Sequence, residues 1–121
     1  MKKTVIVGAT PNSARYAYMA AERLTEHHHE IVPIGIKTGQ VFGQQILPIR
    51  DKPEITGIDT ITLYLGARHQ PEYYEYLLAL RPSRIIFNPG TENEEFMTLA
   101  KKEGVEVVIG CTLVMLGVGN Y

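Results

Sequence analysis

Cysteine is nearly absent from this chain of 121 residues. Cys111 stands alone, so no disulfide can close within the chain, as expected of a protein kept in a reducing compartment. An excess of charge of one sign is lacking too. A formal net charge of -1 and a pI near 6.4 leave no electrostatic ground for binding nucleic acid or an anionic membrane. Long apolar runs are missing: Met1-Lys2-Lys3 leads straight into a short strand, and the apolar tail from Cys111 to Val118 falls well short of the ~20 residues a spanning helix needs. A cytoplasmic location is the expectation. There is no internal repeat, low-complexity stretch or linker, so one domain is expected. What is present is ordinary globular composition, 45% hydrophobic and 21% charged, in a chain long enough to bury a core.

Strand and helix signals alternate throughout. Thr4 to Val7 is a continuous apolar, β-branched run, the pattern of a strand covered on both faces. A helical pattern begins at Asn12 or Ser13, places Ala17, Ala20, Ala21 and Leu24 on one face, and ends around His27 to His29. Glu30 to Ile36 reads as a second strand, with Pro33 expected near a strand end or where its nitrogen faces no partner. Gly39 to Pro53 is irregular, with a short edge strand over Gln45 to Pro48 and a weak helical turn near Pro53 to Ile55. Asp59 to Leu65 is a strand. Pro71 opens a helix that carries Tyr73, Tyr76, Leu77 and Leu80 and stops at Pro82. After the strand Arg84 to Phe87, Thr91 and Glu94 have the spacing of a capping box. That helix turns Phe96, Leu99 and Ala100 inward and closes at Gly104, before a last strand, Val105 to Ile109. The tail from Cys111 to Tyr121 shows no clear period, and its segment Thr112 to Leu116 either covers the sheet or forms a subunit contact. Such alternation predicts a doubly wound, mostly parallel α/β sheet of the Rossmann-like class.

In such sheets ligands bind beyond the C-terminal strand ends, where the strand order reverses. The loops expected at that edge are Gly8 to Ser13, Ile36 to Gly39, Gly66 to His69, Asn88 to Thr91 and Gly110 to Thr112. The first joins a strand to a helix N-terminus, whose unpaired amides and dipole favour an anion. It is neither a dinucleotide fingerprint, because Thr10 and Ser13 stand where glycines are required, nor a Walker A loop. Thr10, Asn12 and Ser13 can donate to phosphate and Arg15 can add charge, while Asn12 or Ser13 can equally serve as the helix N-cap. At the end of the second strand, Lys37 replaces the acid that would hold the ribose of NAD, and suits an additional ribose phosphate, as in NADP or coenzyme A.

Several of these segments occur together in one known family. Gly8-Ala9-Thr10-Pro11-Asn12, Arg15 two residues after Ser13, the second strand ending in Lys37, Gly43-Gln44-Gln45-Ile46-Leu47-Pro48, and Asn88-Pro89-Gly90 before Thr91-Glu92-Asn93-Glu94-Glu95 make the whole chain resemble the small, stand-alone CoA-binding domain proteins. It is also similar to the N-terminal domain of the succinyl-CoA synthetase α subunit. The resemblance implies that the first loop (Gly8, Ala9, Thr10, Pro11, Asn12, Ser13, Arg15) and Lys37 hold the phosphates of CoA or an acyl-CoA. Leu65, Gly66, Asn88, Pro89 and Gly90 would flank the ligand. The synthetase's phosphohistidine-bearing second domain has no counterpart, so ligase activity is not implied.

Other features have plainer readings. His27, His28 and His29 are adjacent and point different ways on a helix end, which does not make a metal site. His69 lies at the ligand edge, yet no residue is placed to complete a triad with it. Cys111 reads first as a small buried hydrophobe and second as a thiol near the ligand. Tyr73, Tyr74 and Tyr76 most simply pack or edge a helix. The expectation is thus a binding module for a small nucleotide ligand without chemistry of its own. A small NADP-dependent oxidoreductase or redox or nucleotide sensor is the alternative, an interaction protein with a degenerate pocket the third reading, and a homodimer stays open.

Overall fold

Thr4–Val7 forms the strand β1, whose four residues are all buried, in a computed structural model that describes residues 1–121. The helix α1 (Tyr16–Glu26) and strand β2 (Ile31–Gly35) follow, then three two-residue strands, β3 (Gln40–Val41), β4 (Gln44–Gln45) and β5 (Leu47–Pro48). Next come β6 (Thr60–Leu63), α2 (Tyr74–Ala79), β7 (Arg84–Phe87), α3 (Glu94–Lys102), β8 (Glu106–Ile109) and α4 (Thr112–Val118). Six strands pair in parallel in the order β5-β2-β1-β6-β7-β8, and β3 with β4 makes a separate antiparallel pair. The expected Rossmann-like α/β fold is present.

The continuity of β1 follows from its place between two layers. Val5 and Val7 face a cluster with Leu77 of α2 and Phe96, Met97 and Ala100 of α3. Ile6 faces the opposite cluster, with Ala17, Ala21 and Leu24 of α1 and Leu116 of α4. Alanines on the inner face of α1 let that helix lie close to the sheet. The carbonyls of Glu30 and Ile34 both accept from the β1 side, so Pro33, one residue out of phase, turns its nitrogen toward β5. That edge strand pairs only from Ile34 onward, and the missing N–H leaves no gap in the ladder.

Three local expectations need correction, and one left open is narrowed. Helix α1 starts at Tyr16, not at Asn12 or Ser13, because the Asn12 amide donates to Thr10 Oγ1 (3.1 Å) and the Ala14 amide to Asn12 Oδ1 (3.0 Å). These side chains offer the backbone turns in place of helix, and neither caps it. The turn expected near Pro53 to Ile55 forms earlier, as a 3-10 turn over Ile49–Asp51 anchored by buried Ile49 and ended by Lys52 at φ 47°. Asn93, not Thr91, caps α3, accepting from the Phe96 amide at 3.2 Å, while the Thr91 hydroxyl donates to the Asn88 carbonyl. The tail forms α4, which covers the sheet through Thr112 and Leu116 and leaves Val114 and Val118 exposed. The three tyrosines do pack: Tyr73 is buried, Tyr74 stacks on Phe96 at 4.6 Å between centroids, and Tyr76 donates to the Pro53 carbonyl.

At the N-terminal end of the strands, Tyr121 closes the sheet. Its hydroxyl pairs with Thr4 Oγ1 at 2.6 Å, and its ring lies 4.4 Å from the buried Arg84 guanidinium and 4.9 Å from His29. His29 Nδ1 accepts from the Lys2 amide at 2.9 Å, which requires that nitrogen to be unprotonated. Burial first, then neighbouring positive charges including Lys2 and Arg84, lower the His29 pKa from the ordinary 6.5. The unfolded chain therefore binds more protons than the folded one just below pH 6.5, and stability falls as the pH drops through that window. Urea titrations at pH 7.5 and 5.5 should show a lower midpoint in acid for the wild type. His29→Gln should shrink that difference, and an unchanged difference would remove His29 from the account.

Candidate functional site at the C-terminal edge of the sheet

The chain runs outward from β1 to β2 and β5 on one side and returns to β6, β7 and β8 on the other. The strand order therefore reverses beside β1, and the loops after β1 and β6 diverge there. A cleft of about 770 Å3 opens at this point, lined from the loops after β1, β2, β5, β6 and β7.

Gly8 makes the close approach between the two central loops. Its φ is +96°, and a Cβ there would lie 3.0 Å from the Tyr64 backbone carbon and oxygen. The amides of Gly8 and Ala9 both donate to the Ile34 carbonyl, at 2.9 and 3.1 Å, and so are not open to a ligand. The Arg15 amide is taken as well, by the Asn12 carbonyl at 3.1 Å. Thr10 keeps an unpaired amide, as do the first two residues of α1, Tyr16 and Ala17. All three residues line the cleft. The anion-accepting end of α1 is thus displaced about one turn along the chain from where the sequence pattern places it.

Of the sequence-predicted residues, Gly8, Ala9, Thr10, Arg15, Lys37, Leu65, Gly66, Pro89 and Gly90 come together around the cleft. Pro11, Asn12 and Ser13 are exposed and do not line it. Pro11 faces Gly39, whose Cβ would sit 3.4 Å from Pro11 Cγ, so it packs the first loop onto the second. Asn88 is 1% exposed and acts as a strut. Its Nδ2 donates to Thr62 Oγ1 (2.7 Å) and the Leu63 carbonyl (2.8 Å), and its Oδ1 accepts from the Thr112 amide (2.9 Å) at the start of α4. The Gly90 amide donates to the Glu92 carboxylate at 2.8 Å.

Several lining residues escaped the sequence reading. Arg50, in the 3-10 turn after β5, is the most consequential. A signal existed, since a parallel edge strand ending at Pro48 must put the following residues at the same edge. Arg15, Lys37 and Arg50 bring three cations to the cleft against one acid, Glu72, in a chain whose overall charge is -1. Gln70, fully buried, joins the two far loops: its Nε2 donates to the Leu65 carbonyl (2.8 Å) and the Thr91 carbonyl (2.9 Å), and its Oε1 accepts from Asn93 Nδ2 (2.9 Å). No group of His, Cys, Asp and Glu side chains is arranged to hold a metal, and no helix is long and apolar enough to cross a membrane.

Known structures share this architecture. A crystal structure of an uncharacterized protein is 54% identical, with a TM-score of 0.97 over 100% of this chain and 98% of that one. A protein of Thermus thermophilus, cell-free ID.343, has a TM-score of 0.85 at 21% identity, covering 99% of this chain and 90% of its own. A hypothetical protein from Pyrococcus horikoshii OT3 has a TM-score of 0.82 at 27% identity, covering 93% of this chain and 80% of its own. No curated protein matches the chain. The sequence pattern of one family, described as CoA binding domain, runs from residue 2 to residue 117 and so takes in every loop around the cleft. With its parallel sheet, its open helix end and a match over nearly its full length, this chain belongs to the CoA binding domain family.

Proposed function

We propose that the chain binds coenzyme A or an acyl-CoA in the switch-point cleft, through the ligand's phosphates, and performs no chemistry on it. Membership of the family supports CoA binding in general. The observation that carries the finer reading is the convergence of Arg15, Lys37 and Arg50 with the unpaired amides of Thr10, Tyr16 and Ala17 on one cleft. Phosphate oxygens are matched by such a set: fixed N–H donors at a helix end together with mobile cations. In this reading the α1 terminus takes the pyrophosphate. Lys37, on the loop after β2, takes the 3′-phosphate, and Leu65, Gly66, Pro89 and Gly90 form the opposite wall.

The absence of chemistry is proposed on the surroundings of the titratable groups. His69 and Glu72 line the cleft; the Glu72 carboxylate lies beside the Tyr73 hydroxyl, and no hydrogen bond joins it to His69 in an acid–base pair. Calorimetric titration with CoA, 3′-dephospho-CoA and NADPH tests both parts. CoA should bind about tenfold more tightly than its dephospho form, the worth of one charge-assisted contact. Equal binding of the two would remove the role given to Lys37. A response to NADPH but not to CoA would replace this reading with the oxidoreductase one. Conversion of acyl-CoA to CoA by the purified protein would overturn the non-catalytic part.

A further inference from the structure

Gln70 sits behind the wall made by the loops after β6 and β7, fully buried and outside the lining of the cleft. Its carboxamide has two N–H groups and one carbonyl oxygen, and all three are engaged. Nε2 donates to the Leu65 carbonyl at 2.8 Å and the Thr91 carbonyl at 2.9 Å, and Oε1 accepts from Asn93 Nδ2 at 2.9 Å. Toward their tips, Leu65-Gly66 and Pro89-Gly90-Thr91 share no other hydrogen bond, since the contacts of Asn88 lie at the root, on Thr62 and Leu63. A planar trans peptide points its carbonyl and its N–H in opposite directions. The Leu65 carbonyl is held inward by Gln70, so the N–H of the same peptide, that of Gly66, points outward. This N–H has no partner in the chain, and Gly66 lines the cleft.

We propose that Gln70 is a positioning residue for ligand binding: by holding the Leu65 carbonyl it turns the Gly66 N–H into the cleft, as a donor to an amide carbonyl of the pantetheine arm of CoA. The inference rests on the reading that the phosphates of CoA lie at the α1 terminus and on Lys37. With the phosphates there, the arm is left the wall of Leu65, Gly66, Pro89 and Gly90, which carries no charge. The arm is uncharged as well, and its amide carbonyls are acceptors that a free backbone N–H complements. The side chain at position 70 has to bring two donors and one acceptor together. An ionised glutamate of the same length has no donor and would set an oxygen against the Leu65 and Thr91 carbonyls, and asparagine is one methylene too short to reach both.

Calorimetry with CoA and with adenosine 3′-phosphate 5′-diphosphate, which keeps every phosphate of CoA and lacks the arm, tests the proposal. In Gln70→Glu, or in Gln70→Met, which buries no charge, both donors are lost while the length of the side chain is kept. CoA should then bind about tenfold more weakly, the worth of one hydrogen bond, and the truncated ligand within about twofold of wild type. A merely structural role would weaken the two ligands alike. Gly66→Pro removes the donor itself and leaves Gln70 in place. Its φ of -60° is that of proline, the lost N–H has no partner in the chain, and no atom lies within 4 Å of the added Cβ, so this variant should fold and show the same split. An equal loss for both ligands in a folded Gln70 variant, or no loss for either, would overturn the role of Gln70. CoA binding within about twofold of wild type in Gly66→Pro would overturn the donor assignment. A wild-type protein that binds neither ligand would instead refute the reading of the cleft.

Discussion

Replacing Arg15, Lys37 and Arg50 together by alanine is expected to weaken CoA binding by about 100-fold while leaving the thermal midpoint nearly unchanged. The first half follows from charge-assisted contacts to phosphate. Each is worth about 1.5–3 kcal/mol when well formed, discounted here to about 1 kcal/mol because all three side chains are exposed and screened by salt. Three such losses amount to about two decades in affinity. The second half follows from their surroundings. The single ion pair of the molecule joins Lys3 to Glu30 at 3.7 Å, so none of the three cations holds a folded-state salt bridge. Calorimetry together with a melting curve checks both halves. A folded triple variant that binds CoA within about twofold of wild type would remove the cations from the site. The singles divide the roles, since Lys37→Ala alone should narrow the gap between CoA and 3′-dephospho-CoA. If Arg50→Ala narrows it instead, the 3′-phosphate belongs beside β5.

Gly8→Val should lower the melting temperature by about 10–15 °C and abolish detectable CoA binding. Two independent terms combine. A φ of +96° strains any β-branched residue by about 1–3 kcal/mol. The added Cβ would also press on the Tyr64 backbone at 3.0 Å, and that neighbour is the end of a central strand, not a flexible side chain. A total of about 3–4 kcal/mol is a large part of the 5–15 kcal/mol typical of a domain this size. Binding is lost as well because the loop that carries Thr10 and the start of α1 must shift. Gly66→Ala is the contrast: its φ of -60° suits any residue and no atom lies within 4 Å of the new Cβ, so its melting curve should match wild type. A Gly8 variant melting like Gly66→Ala would show that the two central loops separate without penalty.

The two glycines illustrate how far the sequence can be read. Both follow strands at the ligand edge, and their surroundings in the chain look alike. Only the pairing of β1 with β6 puts Tyr64 against one and open space beside the other. The same holds for Asn88, whose place in an Asn-Pro-Gly turn marks it as a loop residue beside a ligand. Its three hydrogen bonds reach residues 24 to 26 positions away, and they make it a strut between β6, β7 and α4. The start of α1 is an error of another kind. The Asn12-Ser13 pair is a good cap by residue type, but Thr10 and Asn12 use their oxygens within the loop and delay the helix to Tyr16. In consequence the open amides belong to Tyr16 and Ala17, a displacement that periodicity cannot detect because Ala17 lies on the same apolar stripe either way.

By itself the sequence determined the parallel α/β architecture, the succession of its principal strands along the chain, and the sheet edge at which the cleft opens. Burial on both faces of a sheet forces continuous apolar runs, and helical crossovers force one handed, parallel winding; both are local signals repeated along the chain. It also supplied Lys37 and Arg15, because strand ends are legible and the strand order puts them at one edge. What the tertiary structure decided is which loop atoms remain free and which side chains share a cavity. Gly8 and Ala9 give their amides to Ile34, Arg50 joins the cleft from β5, and Asn88 ties β6 and β7 to the start of α4. Those are contacts between segments distant in sequence, set by packing density and backbone approach, and neither leaves a periodic trace in the chain.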